Sequence, residues 1–302
     1  MKELYHHILD QLKHNSGKNI FSKPDISKLE FIQSTSDILS NYKLSNMDKK
    51  SENDLIEFTI KNTLDQFYKT NQFYSFDQES IQELREIYKN LFSDLKKISE
   101  KTDYKELSVV SDNHYITLKN WIKKSNAFAE KIYTDKYAYL KQDVVCSEYS
   151  PEIQIELLGI ELENIIEPVL DIGCGKNANL VNHFHNLGYA VFGIDRSVGN
   201  SSILQNTSWL EYDFKPETWG TLISNLGFSN HFNHHHLRED GSYIDYAKKY
   251  MEILNSLKIG GSFYYAPGVP FIEKFLNNNL FNVEYKSIHE TDFNAIHIKR
   301  LK

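Results

Sequence analysis

The segment Pro168-Val-Leu-Asp-Ile-Gly-Cys-Gly-Lys-Asn177, followed by Val191-Phe-Gly-Ile-Asp195, constrains the fold more than any other part of the chain. It reads as a buried strand, a tight glycine turn, a helix start and a second strand ending in an acid. That layout places a nucleotide-like ligand against the first strand–helix turn. Gly173 and Gly175 let the backbone turn sharply and admit a ligand without a Cβ clash.

The rest of the chain after Pro168 continues the pattern. Strands are expected at 169–172, 189–195, 209–213, 221–225 and 262–266. Helices are expected at 177–187, 244–257 and 271–277. In the helix over 244–257 the residues Ile244, Ala247, Tyr250, Met251, Leu254 and Leu257 are expected to face inward. Residues 281–288 and 293–301 read as a closing antiparallel hairpin. The predicted class is α/β, with a mostly parallel sheet covered on both faces. Ligands bind outside the carboxyl ends of such strands, near the switch point beside the first.

Residues before about 160 carry helical spacing only. In the helix predicted over 77–97, with Asp77 and Ser80 as candidate caps, Ile81, Leu84, Ile87, Leu91, Leu95 and Ile98 share one face. Leu55, Phe58, Ile60, Leu64 and Phe67 suggest another helix. A third, over 115–140, is rich in aromatics: Tyr115, Trp121, Phe128, Tyr133, Tyr137 and Tyr139. These rings suit helix packing, or the lining of a substrate pocket or lid. The expected organisation is a helical substrate or lid domain over 1–145 and a cofactor domain over 146–302.

A net charge of −7 argues against a nucleic-acid backbone as the main partner. The two cysteines, Cys146 and Cys174, form neither a metal-spaced pair nor a disulfide framework, so a reducing cytoplasm is the expected setting. The N-terminus lacks a signal-peptide core, and no run is long enough for a membrane span.

Two cofactors compete for the turn. Gly173-Cys-Gly175-Lys-Asn-Ala178 fits the G-x-G-x-x-G/A dinucleotide pattern, which admits NAD. Asp171, two residues before the first glycine, would repel a pyrophosphate. It suits instead the ammonium and sulfonium of S-adenosylmethionine. With these residues, with Gly193-Ile-Asp195 and Trp209-Leu-Glu-Tyr-Asp213-Phe214, and with Leu257-Lys-Ile-Gly-Gly-Ser262, the chain resembles the class I S-adenosylmethionine-dependent methyltransferases. Ile259 replaces the proline of the family's L-K-P-G-G turn. The resemblance implies a Rossmann-like seven-stranded methyltransferase sheet and does not cover the helices before residue 160.

The resemblance also implies roles. Asp171, Gly173, Cys174, Gly175 and Asn177 would surround the methionine end of S-adenosyl-L-methionine. Asp195 would hold the ribose hydroxyls, with Arg196 beside the adenine. Asp213 would accept from the adenine amino group, with Phe214 flanking the ring. Asn225 and Leu226, after the fourth strand, would lie near the transferring methyl.

The next segment is histidine-rich: His231, His234, His235 and His236. His231 is the leading candidate base, with Asn225 and His235 as further catalytic candidates. The same histidines could cap or pack a helix, and His231 with His235 has an i, i+4 spacing that suits a metal, although no H-E-x-x-H pattern accompanies it. No metal is assigned. The family's N/D-P-P-Y motif is missing, which speaks against DNA or glutamine methylation. Glu148, Tyr149, His234 and Tyr265 are the substrate-pocket candidates. The loop Tyr265-Ala-Pro-Gly-Val-Pro270 is either a pocket wall or a connector.

The expected activity is methylation of an O or N nucleophile on a small molecule, without membrane or nucleic-acid partners. A protein or peptide acceptor, a regulatory module that binds the cofactor without catalysis, and an NAD-linked oxidoreductase are the alternatives.

Overall fold

In the computed structural model, which describes residues 1–16, 18, 20–21, 28–42, 44–101, 106–129, 149–238, 241–288 and 293–302, the chain divides into Met1–Val144 and Val145–Lys302. The first unit holds α1 (Lys2–Asn15), α2 (Thr35–Asn41), α3 (Lys49–Thr70), α4 (Gln78–Lys101) and α5 (Leu107–Ser125). Asp48 and Asp77 begin α3 and α4 by accepting from the backbone N–H groups of Ser51 (2.9 Å) and Ser80 (2.8 Å). Each such cap is worth about 1 kcal/mol. Ser80 is no cap; it lies inside α4, where its carbonyl accepts from the Trp121 indole N–H at 2.8 Å.

Leu55, Ile56 and Ile60 of α3 pack with Leu84, Tyr88 and Ile98 of α4 and Leu118, Trp121 and Ile122 of α5. Phe76 stacks on Trp121 with ring centroids 4.8 Å apart. Trp121 and Phe128 are thus core residues, whereas Tyr115 is only partly buried. The helix expected over 115–140 starts earlier, at Leu107, and stops at Ser125. Asn126 caps that end, and its side-chain oxygen accepts from Ser75 N–H at 3.0 Å. Tyr133, Tyr137 and Tyr139 lie outside the described residues.

The second unit starts with α6 (Pro151–Leu158), whose Ser150 cap and Pro151 at the first position are standard helix-starting chemistry. It continues through β1 (Val169–Ile172), α7 (Asn179–Asn186), β2 (Val191–Asp195), β3 (Leu204–Asn206) and β4 (Trp219–Asn225). It ends with α8 (Phe228–His236), α9 (Tyr243–Asn255), β5 (Leu257–Ala266), α10 (Pro270–Glu273), β6 (Phe281–Ser287) and β7 (Asn294–Arg300). The strands form one sheet in the order β3-β2-β1-β4-β5-β7-β6. β1 to β5 are parallel, and β7 runs antiparallel to both neighbours.

Side chains alternate across this sheet because a strand has period two. Leu170, Ile172, Leu222, Phe263 and Tyr265 face a core built with Phe228 and Phe232 of α8 and Tyr246, Tyr250, Ile253 and Leu254 of α9. Val169, Ile223, Tyr264 and Ala266 face the other core, with Leu158 of α6 and Leu180, Val181 and Phe184 of α7. Both faces are covered, as the unbroken apolar runs require.

Three expectations need correction. Residues 209–213 are not a strand: Glu211 and Tyr212 N–H groups both donate to Ser208 O, closing a turn, and the third strand is the edge strand β3. In α9 the buried face is Tyr246, Tyr250, Ile253 and Leu254, while Ile244 and Met251 are exposed. The tyrosines take the core because their rings pack against Phe232 and Phe228 and their hydroxyls find partners there. The helix expected over 271–277 is only Pro270–Glu273.

Gly220, the second residue of β4, shows how closely β4 meets the chain entering β1. A Cβ there would fall 2.3 Å from the Ile166 carbonyl oxygen, and Gly220 N–H donates to Pro168 O at 2.9 Å. Gly220→Ala should therefore lose about 3 kcal/mol in urea unfolding, the upper range for overpacking. A change below about 0.5 kcal/mol would contradict this packing.

Candidate functional site

The strand order reverses at β1, whose neighbours β2 and β4 lead off in opposite directions, and the candidate site lies at their carboxyl ends. The glycine turn leaves β1 there. Gly173 and Gly175 have φ of +82° and +74°, a left-handed backbone that costs other residues about 1–2 kcal/mol. The turn is tied inward. Gly173 and Cys174 N–H groups donate to Ile194 O at 2.8 and 3.1 Å, and Gly175 N–H donates to Asp195 Oδ2 at 3.1 Å. Ser197 N–H donates to Asp195 Oδ1 at 2.7 Å. These three turn amides are thus engaged within the protein.

The Asp171 side chain is 3% exposed, and its carboxyl has no hydrogen-bond partner among the described residues. Burial, with the nearby charge of Asp195 as a smaller influence, pushes its carboxyl up to about 8. Burial also raises Asp195, against the opposing pull of Ser197 N–H, Arg196 and Gly175 N–H. Two acids held in this way favour a cationic ligand, which would repay the cost of ionising them. Cys174 is buried, and burial raises its thiol, so it serves as a packing residue here. Its sulfur lies where a Cβ on Gly193 would come within 2.9 Å. Asn177 is exposed, and its carbonyl accepts from Asn182.

The exit of β4 closes on the same turn. A Cβ on Gly227 would lie 3.8 Å from Gly173 Cα and 3.3 Å from Ile172 O. Ser224 Oγ donates to Ile172 O at 2.8 Å and accepts from Phe228 N–H at 3.1 Å, pinning β4, β1 and the start of α8 together. Leu226 has φ +53°, and its N–H donates to Ala266 O. Asn225 is 3% exposed, yet neither its side-chain oxygen nor its nitrogen is hydrogen-bonded, and the buried Ser229 hydroxyl is also unsatisfied. Each such group costs about 1–3 kcal/mol, which a polar ligand would relieve.

His231 is buried in the first turns of α8, its ring edge-on to Trp209 with centroids 5.0 Å apart. Trp209 itself covers the glycine turn: a Cβ on Gly173 would lie 3.0 Å from its ring. Trp209 opens the Trp209–Phe214 motif, but no sequence signal places it over Gly173, and Ser229 stands in no motif; only the folded turn brings Trp209 there. Tyr149 is joined to the site by its carbonyl, which accepts from Asn179 Nδ2 at 3.3 Å at the start of α7. Glu148 and Cys146 lie outside the described residues.

Several expected site residues are placed elsewhere. His235 stacks on Tyr246 at 4.7 Å and its Nδ1 accepts from Ser242 N–H at 3.1 Å, so it fastens α8 to α9. His234 pairs with Arg238 at 3.1 Å, and His236 stacks on Phe271 at 3.7 Å. Tyr265 is fully buried and donates its hydroxyl to Glu273 at 2.6 Å, so it lines no pocket. The loop after it is a fixed connector, with Val269 N–H held by Glu273 and Gly268 N–H by Asn294 O. Asp213 is exposed and ion-paired with Lys215, while Phe214 is sealed in the core. Arg196 is partly buried after β2.

No protein-family model matches the sequence, and no curated protein matches it. Among solved structures the chain is similar to the N-methyltransferase NodS of Bradyrhizobium japonicum, at 14% identity over 50% of this chain and 96% of that one, with a TM-score of 0.36. It is similar to an S-adenosylmethionine-dependent methyltransferase of Mesorhizobium loti, at 13% identity over 51% and 99% of the two chains, with a TM-score of 0.34. An rRNA methylase of Streptococcus thermophilus is alike at 13% identity over 51% and 98%, with a TM-score of 0.34. The strand order and the glycine turn give the second unit the fold of the class I S-adenosylmethionine-dependent methyltransferases.

Proposed function

We propose that this protein is an S-adenosylmethionine-dependent methyltransferase that acts on an oxygen or nitrogen nucleophile of a small molecule. The observation that carries the cofactor is the unpartnered, buried Asp171 beside a glycine turn whose amides face inward. That combination favours a cation and disfavours a pyrophosphate. The unsatisfied Asn225 and Ser229 groups fit a polar ligand at the same strand ends. When bound, S-adenosylmethionine supplies an electrophilic methyl on a sulfonium.

In this reading Asp171 pairs with the ammonium of the cofactor, and Asp195 accepts from the ribose hydroxyls while retaining its two backbone bonds. Asn225 orients polar atoms at the exit of β4. Buried His231 takes a proton at its ring from an acceptor that holds one at neutral pH. The small acceptor is supported by the acidic balance of the chain, with net charge −7. Among the described residues no helix is long and apolar enough to cross a membrane.

Incubation with methyl-labelled S-adenosylmethionine and a cell extract separated into metabolite, protein and RNA pools should label the metabolite pool. Label confined to protein or RNA, or none at all, would reject the small-molecule assignment. With the acceptor in hand, His231→Ala should lower kcat about a hundredfold and leave affinity for S-adenosylhomocysteine within about twofold. Unchanged turnover would remove His231 as the base.

A further inference from the structure

The helical unit contains a cavity of about 250 Å³ among α1, α2, α3, α4 and α5. Leu4, Ile8, Leu39, Leu55, Phe92 and Leu118 give it apolar walls, and among the described residues lining it only Lys18 carries a permanent charge. The polar groups on the wall are mostly paired with one another. The Tyr115 hydroxyl accepts from Asn15 at 2.6 Å and Gln11 at 3.3 Å. Thr63 bonds the Tyr88 hydroxyl at 2.7 Å, His7 bonds Thr35 at 3.2 Å, and Thr59 donates to Leu55 O at 2.7 Å.

His114 differs. It is 8% exposed and packed against Phe31, Tyr88 and Tyr115, and among the described residues neither ring nitrogen has a hydrogen bond. Burial lowers its pKa to about 4, so the ring is neutral and offers one N–H donor and one bare acceptor. His114 lines the cavity, so a ligand there can meet both the donor and the acceptor.

We propose that this cavity binds a small uncharged molecule with an apolar body and one hydroxyl head, which His114 holds by both donating and accepting. An apolar cavity of ~150 Å³ accepts benzene, so this one has room for about ten non-hydrogen atoms. Among the described residues the lining holds no Asp, Glu or Arg, which favours an uncharged ligand over an ionic one. This proposal is independent of the methyl-transfer reading, since it concerns the helical unit alone.

The test is calorimetric titration of the full chain with 4-propylphenol and with propylbenzene, which lacks the hydroxyl. The phenol should bind with one-to-one stoichiometry and at least about tenfold tighter than the hydrocarbon. His114→Phe should bring the phenol down to the affinity of propylbenzene and leave propylbenzene within about threefold. Leu91→Trp, which fills the cavity from α4, should abolish both. Should that variant fail to fold by circular dichroism, the His114→Phe comparison decides alone. No binding of the phenol to the wild-type protein, an unchanged phenol affinity in His114→Phe, or tighter binding of 4-propylbenzoate would overturn the proposal.

Discussion

Asp171→Asn should make the unliganded protein more stable at pH 8 and at the same time remove its affinity for S-adenosylhomocysteine. The two effects have one cause. The Asp171 carboxyl is raised from its ordinary 3.8 to about 8, chiefly by burial, so the folded protein holds a proton that the unfolded chain releases. A carboxyl raised in this way supports folding at low pH, and its contribution is lost as pH climbs from about 4 through 8. The isosteric amide cannot ionise and escapes that loss. The variant should gain on the order of 5 kcal/mol over wild type at pH 8, with the gap closing toward pH 4. The matching loss in binding should be about a hundredfold or more, because the cofactor ammonium loses its buried partner. Wild-type affinity should also fall as pH drops from 8 to 6, by up to about tenfold per unit, since Asp171 must shed a proton to pair. Urea unfolding and calorimetry at pH 5 and 8 measure both sides. A variant that is less stable at pH 8, or that binds as well as wild type, would contradict this account of the site.

Asp195→Ala should also weaken binding by about a hundredfold, yet through a different balance. Asp195 accepts from Gly175 N–H and Ser197 N–H, so its carboxylate shapes the glycine turn in addition to its proposed hold on the ribose. Removing it leaves two backbone donors without their partner, at about 1–3 kcal/mol each, offset by relief of a buried charge. The stability change should therefore be smaller than the binding change. Asp171→Asn gains stability while losing binding, and Asp195→Ala should show no comparable gain. Thermal melts and S-adenosylhomocysteine titrations of the two variants side by side check the contrast, and equal stabilisation by both would remove the turn-shaping role of Asp195.

The core of the site was legible because its chemistry is local. A run of buried apolar residues, two glycines that must adopt positive φ and an acid at each strand end leave few folds open, and β1, β2 and the closing hairpin lie where they were expected. The misreadings have a common origin in side chains that serve two environments. Trp209, Leu210 and Tyr212 have the spacing of a half-buried strand, yet they pack from a turn, while the true edge strand β3 carries the polar Gln205 and Asn206. In α9, Tyr250 is buried as expected, but Tyr246 takes the core in place of Ile244 and Met251, its ring stacked on Phe232. The histidine tract advertised catalysis, but His234, His235 and His236 are engaged in packing and pairing around α8. The cavity around His114 had little sequence signal beyond Tyr115, one of the aromatics read as helix packing or pocket lining, since its walls come from five separate helices and most lining residues look like ordinary core.

The central claim is that this glycine turn receives a cationic nucleoside ligand and rejects a pyrophosphate. Parallel calorimetric titrations at pH 8 with S-adenosylmethionine and with NAD test it most directly. The account predicts saturable one-to-one binding of S-adenosylmethionine and no heat of binding with NAD. Saturable binding of NAD, or none of S-adenosylmethionine, would contradict it.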